Sequence, residues 1–335
     1  MNKFPFYDLR LQITNSCPQK CKHCFADSKS SVMNEITLKE ISNLIVKDLV
    51  PRGLKWVTMT GGEPLLRYDD CLSITKLCRD CGVVPRINTG GYVKNVDNKV
   101  TKLIEAGIET IMLPLKSTSP TAHDSFCGIK GVFENTIRLF KLIRKLNGTS
   151  CLRVTLFNWN REEIPNLLKL ARDIKIDKFR IRPELPAGRS FQHSEFPSTY
   201  EISQIAKLLL HEKDLNDDIA IEFLNPFFQF LYSDYNKEYQ TCTCGITKAF
   251  ITSKGDIKPC GFYKDSFGNI LKESFNSLWE EKPHPVLKRL RSRKPFEKCK
   301  QCKSWDFCKG GCPVIAYNEN GALDGYCRYC PIQRA

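Results

Sequence analysis

"YDLRLQITNSCPQKCKHC", residues 7–24, runs an alternating apolar stretch straight into Cys17, Cys21 and Cys24, spaced C-x3-C-x2-C. Leu9, Leu11 and Ile13 recur at every second position, the period of a strand. The three thiols therefore sit on the loop at its end. Five more short runs of this kind follow: "KWVTMT" (55–60), "GVVPRIN" (82–88), "ETIMLPL" (109–115), "CLRVTLF" (151–157) and "DKFRIRP" (177–183). Helical patterns separate them. One is "TLKEISNLIVKDL", which Thr37 and Glu40 open with a capping box and which Pro51 is expected to stop. Strands alternating with helical crossovers predict an α/β fold with a parallel sheet, open or curled into a partial (β/α)6 barrel. Functional loops then lie at the C-terminal ends of the strands, where the three opening cysteines fall.

After "RPELPAGR" the alternation breaks. A helix near 199–213, a strand near 218–223 and an aromatic stretch, "FFQFLYSDY", lead to a region where cysteines crowd: nine of the 17 lie within residues 242–335. The expected organisation is a barrel over residues 1–195, a connecting segment over 196–240 and a cysteine-rich module over 241–335. "ITSKGDIKPCGFY" reads as a hairpin turning at Gly255 and Asp256, which folds Cys260 back beside Cys242 and Cys244.

The chain has 335 residues, of which 41% are hydrophobic and 26% charged, an ordinary globular composition. No apolar run is long enough for a membrane span, and the N-terminus lacks the apolar core of a signal peptide. A cytoplasmic chain without a membrane partner is expected, where so many cysteines point to metal rather than to disulfides. The net charge of +14 favours anionic partners. No aromatic-interleaved basic strand accompanies it, so nucleic acid is not an expected partner.

Three closely spaced cysteines can hold three corners of an iron-sulfur cluster and leave one iron open; a zinc site is the alternative. The C-x3-C-x2-C run after the first strand, with "GGEP" (Gly61, Gly62, Glu63 and Pro64) after the second, resembles the radical S-adenosylmethionine (SAM) enzymes. The C-terminal pattern resembles their SPASM module: Cys244-x10-Gly255-x4-Cys260, then Cys299-x2-Cys302-x5-Cys308-x3-Cys312, then Cys327. A zinc-ribbon pair is the alternative there.

These resemblances imply SAM and three 4Fe-4S clusters as cofactors. Cys17, Cys21 and Cys24 would hold the SAM-binding cluster. His23 would lie near the adenine, and Gly61, Gly62 and Glu63, followed by Pro64, near the methionyl amino group, where side chains would obstruct the backbone's approach. Asn88, which ends the third strand, joins the cofactor-binding set. The first auxiliary cluster would take Cys242, Cys244, Cys260 and Cys312; the second Cys299, Cys302, Cys308 and Cys327, with Cys330 as the alternate to Cys327. Cys71, Cys78, Cys81 and Cys151 read as core packing.

"TSPTAHDSFCGIKGVFENTIRLFKLIRKL" and "RIRPELPAGR" look like stretches of SPASM enzymes that modify peptides or build cofactors, among them the pyrroloquinoline quinone precursor crosslinker and haem-pathway proteins. Two departures stand out. Relatives with S-L-D-G after the fourth strand contrast with Pro114-Leu115-Lys116-Ser117 here, and an arginine in H-D-x-x-R-G is replaced by Cys127. Lys116 then meets the SAM carboxylate or an anionic substrate group, or is solvated. Cys127 fills space or donates a hydrogen atom, as in radical epimerases. Gly261 stands where sulfatase maturases carry an acidic base.

The expected activity is abstraction of a hydrogen atom from a ribosomally made precursor peptide, giving a crosslink, thioether or dehydrogenated residue, with epimerisation also open. A separate leader-binding protein and a flavodoxin or ferredoxin donor are the implied partners. The alternatives are a dehydrogenase or decarboxylase acting on an anionic small molecule (sugar, nucleotide or tetrapyrrole) and an anaerobic sulfatase maturase.

Overall fold

The computed structural model describes residues 4–192, 196–216, 218–224, 242–323 and 327–330. The aromatic stretch 227–235 lies outside them. Seven strands form one parallel sheet in sequence order: β1 (Asp8–Thr14), β2 (Trp56–Gly61), β3 (Val84–Asn88), β4 (Thr110–Leu115), β5 (Ser150–Leu156), β6 (Lys178–Pro183) and β7 (Ala220–Phe223). All six strands expected from periodicity are present. The run near 218–223 adds a seventh, paired in parallel with β6.

Six helices connect the strands through β6: α1 (Leu38–Asn43), α2 (Tyr68–Asp80), α3 (Val96–Glu105), α4 (Pro120–Cys127), α5 (Val132–Lys145) and α6 (Ile164–Asp173). Helix α7 (Thr199–Leu215) leads into β7. Each long crossover helix buries one stripe. On α5 this is Val132, Phe133, Thr136, Leu139, Phe140 and Ile143, the spacing of one helical face. Both arms of the Thr37–Glu40 capping box form. The first crossover helix ends at Pro51 as expected, through one closing turn. It passes through a π-helical stretch (Leu44–Leu49) into a 3-10 turn that contains Pro51 and is closed by Gly53 with φ +89°. A proline needs no N–H at the start of a turn.

At the other edge of the sheet, β8 (Lys248–Ile251) pairs in parallel with β1, and β9 (Ile257–Lys258) returns antiparallel to β8. The expected hairpin is therefore present, with Gly255 at φ +82° in its turn. Asp8 of β1 fastens this edge, because its carboxylate meets both Arg10 and Lys248 at 3.1 Å. Three short helices follow, α8 (Pro285–Arg291), α9 (Trp305–Cys308) and α10 (Pro313–Asn320). Among the described residues no helix is long and apolar enough to cross a membrane.

Candidate functional site

Backbone hydrogen bonds fix the loop after β1 at several points. The Cys17 N–H donates to the Lys29 carbonyl at 2.7 Å, and the Lys20 and Lys22 N–H groups donate to the Cys127 and Phe126 carbonyls that end α4. From β2, the N–H groups of Gly62 and Glu63 donate to the Thr14 and Ser16 carbonyls at 2.7 and 2.8 Å. This contact gives the glycine pair its physical reason. A Cβ at Gly61 would lie 2.2 Å from the Thr14 oxygen, and one at Gly62 2.2 Å from that of Ser16. The crowding that excludes side chains thus comes from the chain's own backbone.

"PAGR" closes the loop from the far side. Gly188, at φ +57°, packs where a Cβ would strike the Cys24 carbonyl, and Arg189 donates to the Cys21 and Ser28 carbonyls and to Asp27. Neither Gly188 nor Arg189 is marked out by composition or periodicity; their place follows from the contact of this turn with the cysteine loop.

Cys17, Cys21 and Cys24 line one cavity with His23, Gly61, Gly62, Asn88 and Lys116. Gln19 Nε2, His23 Nδ1 and Asn88 Oδ1 are buried there without a hydrogen-bond partner. A polar ligand with several donors and acceptors fits that wall, since orphaned buried polar atoms are costly. The His23 ring packs against Phe126 and Phe157, with centroids 5.2 and 5.4 Å away. Burial holds its pKa well below the usual range, so a neutral imidazole is presented.

Glu63 behaves differently from its neighbours in "GGEP". Its buried carboxylate accepts from Thr89 Oγ1 at 2.5 Å and from the N–H groups of Leu65, Gly90 and Gly91. It therefore fixes the loop after β3, while Pro64 starts the 3-10 turn Pro64–Arg67 behind it.

Cys127 also faces the cavity, with its sulfur 3.6 Å from His123 Nε2. Among the three loop cysteines its electrostatic partner is Cys21. The Cys127 thiol, helped by Lys116 and Arg189, pulls the Cys21 pKa below the usual thiol range against the effect of burial. Cys17 is pushed up to about 12 by burial. Cys71, Cys78 and Cys151 are fully buried in the core, as expected of packing residues, and Cys81 caps α2.

The barrel interior is cationic. Lys116, Arg153, Arg180, Arg182 and Arg189 all line the cavity, and the last four were not anticipated from the sequence. Arg180 is paired with Glu222 and Arg189 with Asp27, while Arg182 lies 4.7 Å from the Phe262 ring centre. Gly261 has no room for an acid, because a Cβ there would lie 2.8 Å from the Phe25 ring and 2.9 Å from that of Phe250.

In the C-terminal region Cys242, Cys244, Cys260 and Cys312 line a second cavity together. The remaining cysteines lie nearby. Cys330 is within electrostatic reach of Cys299, Cys308 and Cys327, and Cys302 of Cys299. Cys327 is buried against Gly311, within electrostatic reach of Cys312, Cys308 and Cys330. Among the described residues no three metal-binding side chains are close enough to share a single ion. A cubane instead needs its thiolates spread around a cage, one to each iron.

A parallel α/β barrel with three thiols at the end of its first strand, and further cysteine sets beyond its last, defines an iron-sulfur enzyme of the radical type. Residues 11–171 match the radical SAM superfamily, and residues 242–303 match the SPASM iron-sulfur cluster-binding domain. The chain belongs to the radical SAM superfamily and is a SPASM-type member that uses SAM and iron-sulfur clusters.

It is 27% identical to an AdoMet-dependent heme synthase of Methanosarcina barkeri, over 96% of this chain and 95% of that one. It is 26% identical to an Fe-coproporphyrin III synthase of the same organism, over 91% and 82%. Streptococcus suis SuiB bound to its precursor peptide SuiA shares the fold, with a TM-score of 0.81 at 20% identity, over 98% of this chain and 76% of that one.

Proposed function

We propose that this radical SAM enzyme oxidises a small molecule held inside the barrel, and that the molecule is a tetrapyrrole modified on a side chain. Cys17, Cys21 and Cys24 would hold the SAM-binding cluster, with Gln19, His23 and Asn88 offering their unpartnered atoms to SAM. Cys242, Cys244, Cys260 and Cys312 would hold one auxiliary cluster. Cys299, Cys302, Cys308 and Cys330 would hold the other, leaving Cys327 between them. When bound, these groups supply a 5'-deoxyadenosyl radical that takes a hydrogen atom and acceptors for the electron that the product gives up.

The chain's own residues position this chemistry. Gly62, Glu63 and Arg189 hold the cysteine loop against the barrel, the Cys127 and Phe126 carbonyls orient it from α4, and the aromatic wall beside His23 excludes water. The carrying observation is the convergence of three thiols and three orphaned polar atoms in one cavity. Heme and coproporphyrin synthases matched over nearly their whole length support the tetrapyrrole substrate.

A ribosomal peptide substrate is the second reading, favoured by the fold shared with the peptide-bound SuiB structure. Anaerobic incubation of the cluster-loaded enzyme with SAM, a reductant and iron coproporphyrin III tests the first reading. Loss of mass from the porphyrin that depends on Cys21 supports it. An unchanged porphyrin, with a change in a peptide encoded beside this gene, supports the second.

A further inference from the structure

Of the five cations that line the cavity, Arg180 is paired with Glu222 and Arg189 with Asp27, and Arg182 lies against the Phe262 ring with the Glu184 carboxylate acting on its charge. Lys116 and Arg153 have no such carboxylate partner among the described residues. Lys116 is 3% exposed, and neither side chain forms an ion pair with a described carboxylate. Both line the cavity.

We propose that Lys116 and Arg153 form a two-point clamp for the carboxylates of a small polycarboxylate substrate, a proposal that rests on the SAM-dependent reading above. Burying a charge without a partner is costly, so a retained pair of this kind marks a site for an anion. Burial pulls the Lys116 ammonium down to about 8 and the Arg153 guanidinium to about 9. Arg153 also raises the cost of the Lys116 charge, and an arriving anion relieves it.

Their depths differ. Arg153 sits mid-strand on β5, between Pro114 of β4 and Arg180 of β6. Lys116 lies just beyond the end of β4, two residues past Pro114, where its charge reaches Cys21. The neighbours that act most strongly on Arg153 are Arg182, Arg180, Cys151 and Arg10, none of them a loop cysteine. A SAM carboxylate held beside the cysteine loop would meet Lys116, whose charge reaches Cys21. Arg153 is left for a group the substrate brings, and its planar fork suits bidentate binding of a carboxylate.

The test is absorbance titration of the cluster-loaded, SAM-bound enzyme with coproporphyrin III, a tetracarboxylate, and with its tetramethyl ester. The wild type is expected to bind the acid and not the ester. Arg153→Met and Lys116→Met should each weaken acid binding at least tenfold, by more than they weaken SAM binding, and Lys116→Arg should recover most of the loss. Equal binding of acid and ester overturns the clamp. So does equal binding, or no binding, by wild type and variants alike, or a loss of SAM affinity that matches the loss of porphyrin affinity. Displacement of the porphyrin by an equal concentration of pyrophosphate overturns the carboxylate assignment. Release of 5'-deoxyadenosine by the wild type judges the SAM reading separately, so each fails by its own measurement.

Discussion

Tyr329 donates its hydroxyl to the main-chain carbonyl of Glu184 at 2.5 Å, joining the last cysteine loop to the end of β6 across 145 positions of sequence. Both residues are buried. Tyr329→Phe leaves that carbonyl without this donor, at a cost of about 1–3 kcal/mol. The anaerobic holoenzyme is expected to melt a few degrees lower, with its iron content retained. An unchanged melting temperature would show that the bond carries no stability.

The Glu184 side chain gives a dependence on pH. Burial raises its pKa to about 7, against the lowering effects of Ser190, whose hydroxyl donates to it at 2.8 Å, and of Arg182. A carboxyl raised in the fold contributes stability that is complete below pH 4.5 and is lost as pH rises through about 7. Glu184→Gln, which cannot ionise, should therefore gain on the wild type as pH rises from 4.5 to about 7, and by no more above that. Urea midpoints of the two proteins across that range check this, and a constant difference would contradict it.

Gly62→Ala places a Cβ where the Ser16 carbonyl lies at 2.2 Å. Backbone cannot give way there without moving the cysteine loop. Release of 5'-deoxyadenosine should fall at least 100-fold, while far-UV circular dichroism stays native. Retention of activity would place the loop's register elsewhere.

The parallel sheet was legible because strands buried on both faces read as short apolar runs, and the cysteine spacing located the loop after β1. Arg153 and Arg182 were not legible, since an arginine inside a strand gives no sign of facing the lumen until neighbouring strands set the register. Pairing of β8 with β1 was equally hidden: a contact between positions 8 and 248 leaves no local pattern. Glu63 shows a second role that its place in "GGEP" did not reveal: its carboxylate accepts from the N–H groups of Gly90 and Gly91 and from the Thr89 hydroxyl, and so ties the loop after β3 to the loop after β2.

Asp8→Asn tests how the C-terminal hairpin is attached. Burial pushes the Asp8 carboxyl up, yet Arg10 and Lys248 together hold it below its usual range. Removing the charge leaves two cations facing each other at the joint between β1 and β8, at a cost of about 3 kcal/mol. Limited proteolysis should then cut the region after residue 242 faster than in the wild type, and an unchanged cleavage pattern would assign the attachment to β8 packing alone.

Cys327 and Cys330 separate by iron content. Cys330 and Cys327 both reach Cys308 electrostatically, but Cys330 also reaches Cys299, whereas Cys327 reaches Cys312. If Cys330 supplies the fourth thiolate, Cys330→Ala removes a corner of the second auxiliary cluster, and anaerobically prepared protein should drop from about twelve irons per chain toward about eight. Cys327→Ala should keep about twelve, because a methyl group replaces a thiol that packs on Gly311. Alanine at 327 costs only a small packing loss, so a fall in iron there cannot be put down to unfolding if circular dichroism is unchanged. The reverse pattern, iron lost from Cys327→Ala and kept in Cys330→Ala, would assign the ligand to Cys327.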